Sequence, residues 1–114
     1  MADYSAARTV LQEDRAKLVH QLAELGANED GELRRDLDFG EGFADAAAIT
    51  AERTEVLGLV ETLKIHLDEV DVALERIAAG TYGVCDRCGS RIAPERMEAR
   101  PISHFCVDCK SALP

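Results

Sequence analysis

Hydrophobic residues recur at helical spacing in two long segments of the chain. The first segment is Asp3–Leu25, where apolar side chains recur every seven residues. Tyr4, Leu11, Leu18 and Leu25 follow that spacing, Leu22 fills an intervening position, and Arg8 and Arg15 interrupt the stripe. This pattern predicts a helix, and Gly26 is a typical stop signal because it follows the last periodic residue.

The second segment, Asp45–Ala79, has the more regular pattern. One apolar series is spaced by seven residues and a second series interleaves with it, as in a heptad repeat. The members are Ile49, Val56, Leu63, Val70 and Ile77 in the first series, and Val60, Leu67 and Leu74 in the second. We expect Asp45 to cap the start of this helix and Gly80 to end it.

The segment Ala27–Ala44 breaks the periodic pattern. Residues 27–45 carry seven acidic side chains against two basic ones. A long acidic connection is either a solvated loop or a functional one, and Glu32–Leu37 could add a turn of helix. Phe39 and Phe43 could pack on Leu25 and Ile49 or could serve as apolar anchors for a partner.

Neither helix can bury its apolar stripe alone, so we expect the two to pair as an antiparallel hairpin. The predicted fold is mainly α. A two-helix coiled-coil hairpin over residues 1–79, with an acidic tip loop at 27–45, precedes a small four-cysteine zinc ribbon over residues 80–114.

All four cysteines lie in the C-terminal segment as two C-x-x-C pairs, seventeen residues apart: Cys85, Cys88, Cys106 and Cys109. This spacing is typical of a structural zinc site, where four thiolates surround one Zn²⁺ as a tetrahedron. Four protein ligands leave no position for an activated water, so we expect no enzymatic role for the metal. We predict two short strands or turns over Ser90–Phe105, with Pro94 and Pro101 as breakers.

Other fates of the cysteines stay open at this point. They could form two disulfides, or one pair could act as a thioredoxin-like redox site, although no βαβ unit accompanies it. His104 could replace one cysteine as a ligand, but we interpret it as an exposed ribbon residue. The N-terminus shows no signal peptide and the sequence no membrane span, so a reducing cytoplasm is expected, where paired cysteines usually bind metal.

The net charge of −9 is unfavourable for holding duplex DNA through its phosphates and favours a basic partner or channel. Only the C-terminal segment is mildly basic, through Arg87, Arg91, Arg96, Arg100 and Lys110. Weak nucleic-acid binding by a zinc ribbon and a thiol redox switch that releases zinc are therefore alternatives. No nucleophile–base pair or phosphate-binding glycine loop is evident, so we expect no enzyme.

The residues Tyr82–Gly89, Ile92, Arg96–Pro101 and Cys106–Lys110 resemble the zinc-finger region of the DksA/TraR proteins. Before Gly80 the resemblance is one of layout. It implies a bacterial transcription regulator that binds RNA polymerase and makes no DNA contacts of its own. Such proteins insert the helical hairpin through the secondary channel and place acidic tip residues near the catalytic centre.

The tip departs from the family pattern, which is often Asp-x-x-Asp-x-Ala. Gly42 occupies the first aspartate position, Asp45 occupies the second, and Glu41 lies one position away. The candidate tip residues are Asp38, Phe39, Glu41, Phe43 and Asp45. Members that bind ppGpp beside the polymerase place basic side chains on the second helix. Here Leu67–Asp71 is acidic, and Lys64 and Arg76 are its nearest bases, which argues against a ppGpp site.

Overall fold

The computed structural model describes residues 4–33 and 46–113, and of residues 46–50 only the backbone. Over these ranges the protein is mainly α, as the sequence predicts, and it contains no strand. The helices are α1 (Ser5–Glu24), α2 (Ala46–Ala79), α3 (Pro94–Ala99) and α4 (Val107–Ala112). Two isolated β-bridges, Ala27–Leu33 and Val84–Arg91, join neighbouring turns. No described helix is long and apolar enough to cross a bilayer.

The end of α1 is a Schellman motif. Gly26 has a φ of 83°, and its N–H donates to the carbonyl of Ala23 at 3.0 Å. The N–H of Ala27 donates to the carbonyl of Leu22 at 2.8 Å. Glycine is favoured here because a left-handed backbone costs a residue with a Cβ additional energy.

Helix α2 ends in the same way at Gly80, whose φ is 78°. The Gly80 N–H donates to the carbonyl of Ile77 at 3.3 Å, and the Thr81 N–H donates to that of Arg76 at 2.9 Å. Both glycine stops predicted from the sequence are confirmed. The predicted N-cap residue Asp45 lies outside the described residues.

The chain forms two compact units, one of residues 16–68 and the other of residues 1–15 with 69–114. In the first unit, α1 and α2 are antiparallel and pack Leu22 against Val60 and Leu67, all of which are buried. The half-buried side chains around this core are Leu18, Val19, Leu25, Leu33, Val56 and Leu63. The heptad positions Val56, Val60, Leu63 and Leu67 of α2 therefore belong to this core.

After α1 the chain turns back tightly. The Asn28 side-chain oxygen accepts hydrogen bonds from the N–H groups of Asp30, at 2.9 Å, and Glu32, at 3.0 Å. Leu33 then forms a bridge with Ala27. The helical turn predicted from Glu32 is wrong at Glu32 and Leu33, because the Glu32 carbonyl accepts the Asn28 N–H at 3.0 Å and Leu33 pairs with Ala27. The rest of that predicted turn lies outside the described residues.

In the second unit, a contact with α2 accounts for Arg15, which interrupts the apolar stripe of α1. Its Nε donates to Oδ1 of Asp71 on α2 at 2.7 Å, and about a third of each side chain is exposed. The polar residue in the heptad stripe thus makes a charge-assisted contact between the two helices. Nearby, Leu11, Val70 and Ala73 are buried.

Two tyrosines join the start of α1 to the finger. The Tyr4 ring packs edge-on to the Tyr82 ring, with centroids 4.7 Å apart. The Tyr82 hydroxyl donates to the carbonyl of Pro101 at 2.8 Å, and burial raises the pKa of Tyr82. Gly83 has a φ of 80°, and a Cβ there would lie 2.7 Å from the Tyr4 hydroxyl oxygen.

The two short strands or turns predicted over Ser90–Phe105 are wrong in their central part, which is helix α3. Pro94 occupies the first turn of that helix. Proline fits this position because its φ is already helical and the first N–H groups of a helix lack partners in any case. The Nε of Arg96 in α3 donates to the carbonyl of Phe105 at 3.0 Å, which holds the helix against the segment leading to α4.

Candidate metal centre

The first cysteine pair lies in a tight turn that follows α2. The Cys85 N–H donates to the carbonyl of Ser90 at 2.8 Å, and the Gly89 N–H donates to that of Cys85 at 3.0 Å. Gly89 has a φ of 74°, so a glycine is favoured where the turn closes. This hydrogen bonding shapes the knuckle that directs Cys85 and Cys88 to one point.

The second pair lies at the start of α4. Cys106 is the N-cap, and its Sγ accepts a hydrogen bond from the Cys109 N–H at 3.4 Å. Cysteines three residues apart lie on the same face of a helix. The helix start therefore presents both sulfurs on one side.

The structure brings the four sulfurs together. All Sγ atoms lie within 4.8 Å of one another, and Cys88 and Cys106 are 3.8 Å apart. A tetrahedron with Zn–S bonds of ~2.3 Å has edges of about 3.8 Å, so the donor set and its spacing fit Zn²⁺. All four cysteines are free, and the two-disulfide alternative does not describe this structure.

The thiols differ in their affinity for protons. Hydrogen bonding from the backbone of Cys88 lowers the pKa of Cys85 to about 6. Hydrogen bonding with the side chain of Cys106 raises the pKa of Cys109 to about 12. Hydrogen bonding from the Ser90 side chain lowers the pKa of Cys88. Four adjacent sulfurs cannot all be anionic unaided, and a divalent cation is the charge that would hold them all as thiolates.

His104 lies outside the sulfur cluster. Its Nδ1 is 3.2 Å from Oδ2 of Asp86, and its ring packs on Phe105 with centroids 4.2 Å apart. Among the described residues, the only group of His, Cys, Asp and Glu side chains close enough to hold a metal consists of the four cysteines. The interpretation of His104 as an exposed residue agrees with the structure.

Sequence reasoning missed Asp86, which lies inside the first pair. Its carboxylate contacts Arg76 of α2 as well as His104, which are ten and eighteen residues away along the chain. A carboxylate between two cysteines is a weak signal by itself. Its partners become evident only when the finger folds back on the end of α2.

The structure separates the five bases of the C-terminal segment. Arg96, Arg100 and Lys110 line a cleft of about 110 Å³ together with Glu69. Arg87 and Arg91 are exposed and do not line it. The predicted tip residues Asp38, Phe39, Glu41, Phe43 and Asp45 lie outside the described residues.

Known proteins share this arrangement. The family described as prokaryotic dksA/traR C4-type zinc finger matches residues 80–113. Over a longer range, the chain is similar to the structure of transcription factor DksA2 from Pseudomonas aeruginosa. The TM-score is 0.76 and the identity is 36%, over 93% of this chain and 78% of that one. The chain belongs to the DksA/TraR family.

Curated relatives agree with membership of this DksA-like transcription factor family. The chain is 36% identical over 45 residues to the RNA polymerase-binding transcription factor DksA of Haemophilus influenzae, covering 40% of this chain and 31% of that protein. It is 34% identical over 81 residues to general stress protein 16O of Bacillus subtilis (strain 168), covering 71% of this chain and 48% of that protein. The chain thus spans less than half the length of these relatives.

Proposed function

We propose that this chain binds RNA polymerase and modulates initiation by inserting its helical hairpin into the secondary channel. The observation that carries this proposal is the similarity to DksA2, which extends over 93% of the chain and so includes both long helices as well as the finger. A relative from Haemophilus influenzae is itself named RNA polymerase-binding.

The acidic connection between α1 and α2 supplies the tip in this proposal. Residues 27–45 carry seven acids and two bases, a charge that suits a channel leading to a metal-dependent catalytic centre. We assign the contacts to Asp38, Phe39, Glu41, Phe43 and Asp45. Asp45 is central because it alone occupies an aspartate position of the family tip.

We also propose that Cys85, Cys88, Cys106 and Cys109 hold a single Zn²⁺. When bound, zinc supplies a closed tetrahedral crosslink and offers no position for a reacting water. The crosslink joins the turn after α2 to the start of α4, within a finger domain of residues 80–114 that follows the hairpin of residues 1–79. Structural zinc contributes roughly 10–16 kcal/mol to the folding of small finger peptides.

The cleft lined by Arg96, Arg100 and Lys110 does not suit ppGpp. Its volume of about 110 Å³ is below the roughly 300–1,000 Å³ of small-molecule sites. Glu69 also lines it and would repel a polyphosphate. We infer that this chain acts without ppGpp at this cleft. Addition of ppGpp to a transcription reaction with polymerase and this chain should therefore leave the effect of the chain on transcription unchanged.

The test of the tip is polymerase binding by purified variants. The variant combining Glu41→Gln, Phe43→Ala and Asp45→Asn should bind polymerase at least about tenfold more weakly, because an aromatic anchor of an interface is worth about 2 kcal/mol. The control combines Glu52→Gln and Glu55→Gln, which removes two exposed charges from α2 outside the tip. Unchanged binding and transcription by the tip variant would reject the tip assignment.

A duplex DNA titration separates the proposed role from a nucleic-acid-binding finger. We expect no stable complex at physiological salt, because the chain carries a net charge of −9. Tight binding that weakens steeply with salt, and is lost on replacing Arg87 and Arg91, would favour the nucleic-acid role instead.

A further inference from the structure

The side chain of Asp86 contacts two other segments of the chain. Its Oδ2 lies 2.5 Å from Nη2 of Arg76 and 3.2 Å from Nδ1 of His104. Its backbone N–H also donates to the carbonyl of His104 at 2.9 Å. Asp86 itself lies between Cys85 and Cys88, so it joins the first cysteine pair to two other parts of the fold.

Arg76 fixes one end of this connection. The carbonyl of Arg76 accepts the N–H groups of Thr81, at 2.9 Å, and Tyr82, at 3.2 Å, where α2 ends. Its side chain is 22% exposed and that of Asp86 is 44% exposed, so the contact is partly shielded from water. One residue thus holds the chain reversal through its backbone and the cysteine turn through its guanidinium group.

His104 fixes the other end. It lies two residues before Cys106, and both its carbonyl and its ring contact Asp86. The spacing between the first and second cysteine pairs is therefore set partly by these contacts and not by the sulfurs alone. Residues that orient ligands without touching the metal commonly change metal affinity 10- to 100-fold when they are replaced.

Building on the proposed zinc centre, we propose that Asp86 is a positioning residue for the four-cysteine site. Held by Arg76, its carboxylate places the first cysteine pair against the end of α2, and through His104 it sets that pair against the second. Asp86 and Arg76 thereby raise the affinity of the site for Zn²⁺.

Asp108 provides a matched control. It lies inside the second pair, between Cys106 and Cys109, and is exposed. Its side chain makes no hydrogen bond or ion pair with another described residue. Asp86→Asn and Asp108→Asn each remove one negative charge from within a C-x-x-C pair. The loss of long-range attraction for Zn²⁺ is therefore common to both, and only Asp86→Asn also loses the contacts with Arg76 and His104.

The two explanations predict opposite changes in zinc affinity when Arg76 is replaced. Arg76→Gln removes a positive charge near the site, so electrostatic repulsion alone would make zinc binding tighter. If Arg76 acts by holding Asp86, the same substitution makes zinc binding weaker. The sign of the change therefore distinguishes positioning from long-range charge.

The experiment measures Zn²⁺ dissociation constants by competition with a chromophoric chelator, using the full chain. Asp86→Asn and Arg76→Gln should each weaken binding about 10- to 100-fold, and Asp108→Asn less than about fivefold. With zinc saturating, exchange of the Thr81 and Tyr82 amide hydrogens should accelerate in Arg76→Gln and Asp86→Asn and stay unchanged in Asp108→Asn.

Equal losses for Asp86→Asn and Asp108→Asn, or tighter binding by Arg76→Gln, would overturn the positioning role. Absence of zinc binding by the unmodified chain would instead reject the proposed metal centre, so the two failures are distinguishable. If Asp86→Asn does not fold, Arg76→Gln decides by itself, because position 76 lies in α2 and outside the finger.

Discussion

Substitution of Gly83 by alanine tests the packing between the start of α1 and the finger. Gly83 has a φ of 80°, and an added Cβ would lie 2.7 Å from the Tyr4 hydroxyl oxygen and 3.4 Å from the adjoining ring carbon. Gly80 is a matched control, because its φ is 78° and an added Cβ would meet nothing within 4 Å. Both substitutions strain the backbone, but only Gly83→Ala also creates a steric overlap.

The two effects have separate magnitudes. A left-handed backbone costs an alanine about 1–2 kcal/mol, and overpacking costs about 1–3 kcal/mol more. We therefore expect Gly80→Ala to lower the free energy of unfolding by about 1–2 kcal/mol and Gly83→Ala to lower it by about 2–5 kcal/mol.

A third variant isolates the steric part. Tyr4→Phe removes the oxygen that the new methyl group would meet and keeps the ring against Tyr82. Measured against Tyr4→Phe alone, the added Gly83→Ala change should cost only about 1–2 kcal/mol. Urea unfolding followed by circular dichroism measures these differences, with free zinc held constant because a ligand of the folded state shifts apparent stability.

Equal losses at positions 80 and 83 would refute this reasoning, as would a Gly83→Ala cost that Tyr4→Phe leaves unchanged. Either result would mean that the Tyr4 ring moves aside freely and that the start of α1 is not packed on the finger as the tyrosine contact indicates.

Two further predictions concern the metal and the helix pair. Elemental analysis should find zinc bound to the chain, and Cys109→Ser should abolish that binding. Zinc binding should also weaken as pH falls, because the thiols must lose their protons to bind the metal. If mild peroxide releases zinc and changes transcription together, the redox-switch alternative gains support, whereas unchanged transcription favours a purely structural ion. A double-mutant cycle with Arg15→Met and Asp71→Asn should give a coupling energy of about 0.5–1 kcal/mol, because the pair is partly exposed; additive losses would show that the contact between the helices contributes nothing.

The sequence was most informative where the determining interactions are local or periodic. The heptad pattern of α2 determines which side chains face α1, and Gly26 and Gly80 determine where the long helices end. The two C-x-x-C pairs indicated the metal site because each pair forms within a single turn. The prediction of strands or turns after the first pair failed at Pro94, because proline breaks a strand but is also favoured in the first turn of a helix.

The tertiary structure decided which polar side chains meet. The partner of Arg15 is fifty-six residues away, and Asp86 joins residues ten and eighteen positions distant, separations at which no local pattern operates. The stop of α2 and the cysteine turn each have a sequence signal, but their connection through Arg76 does not. Hydrogen-bonded helices and turns depend on neighbours along the chain, whereas these ion pairs form only after packing has brought distant segments together.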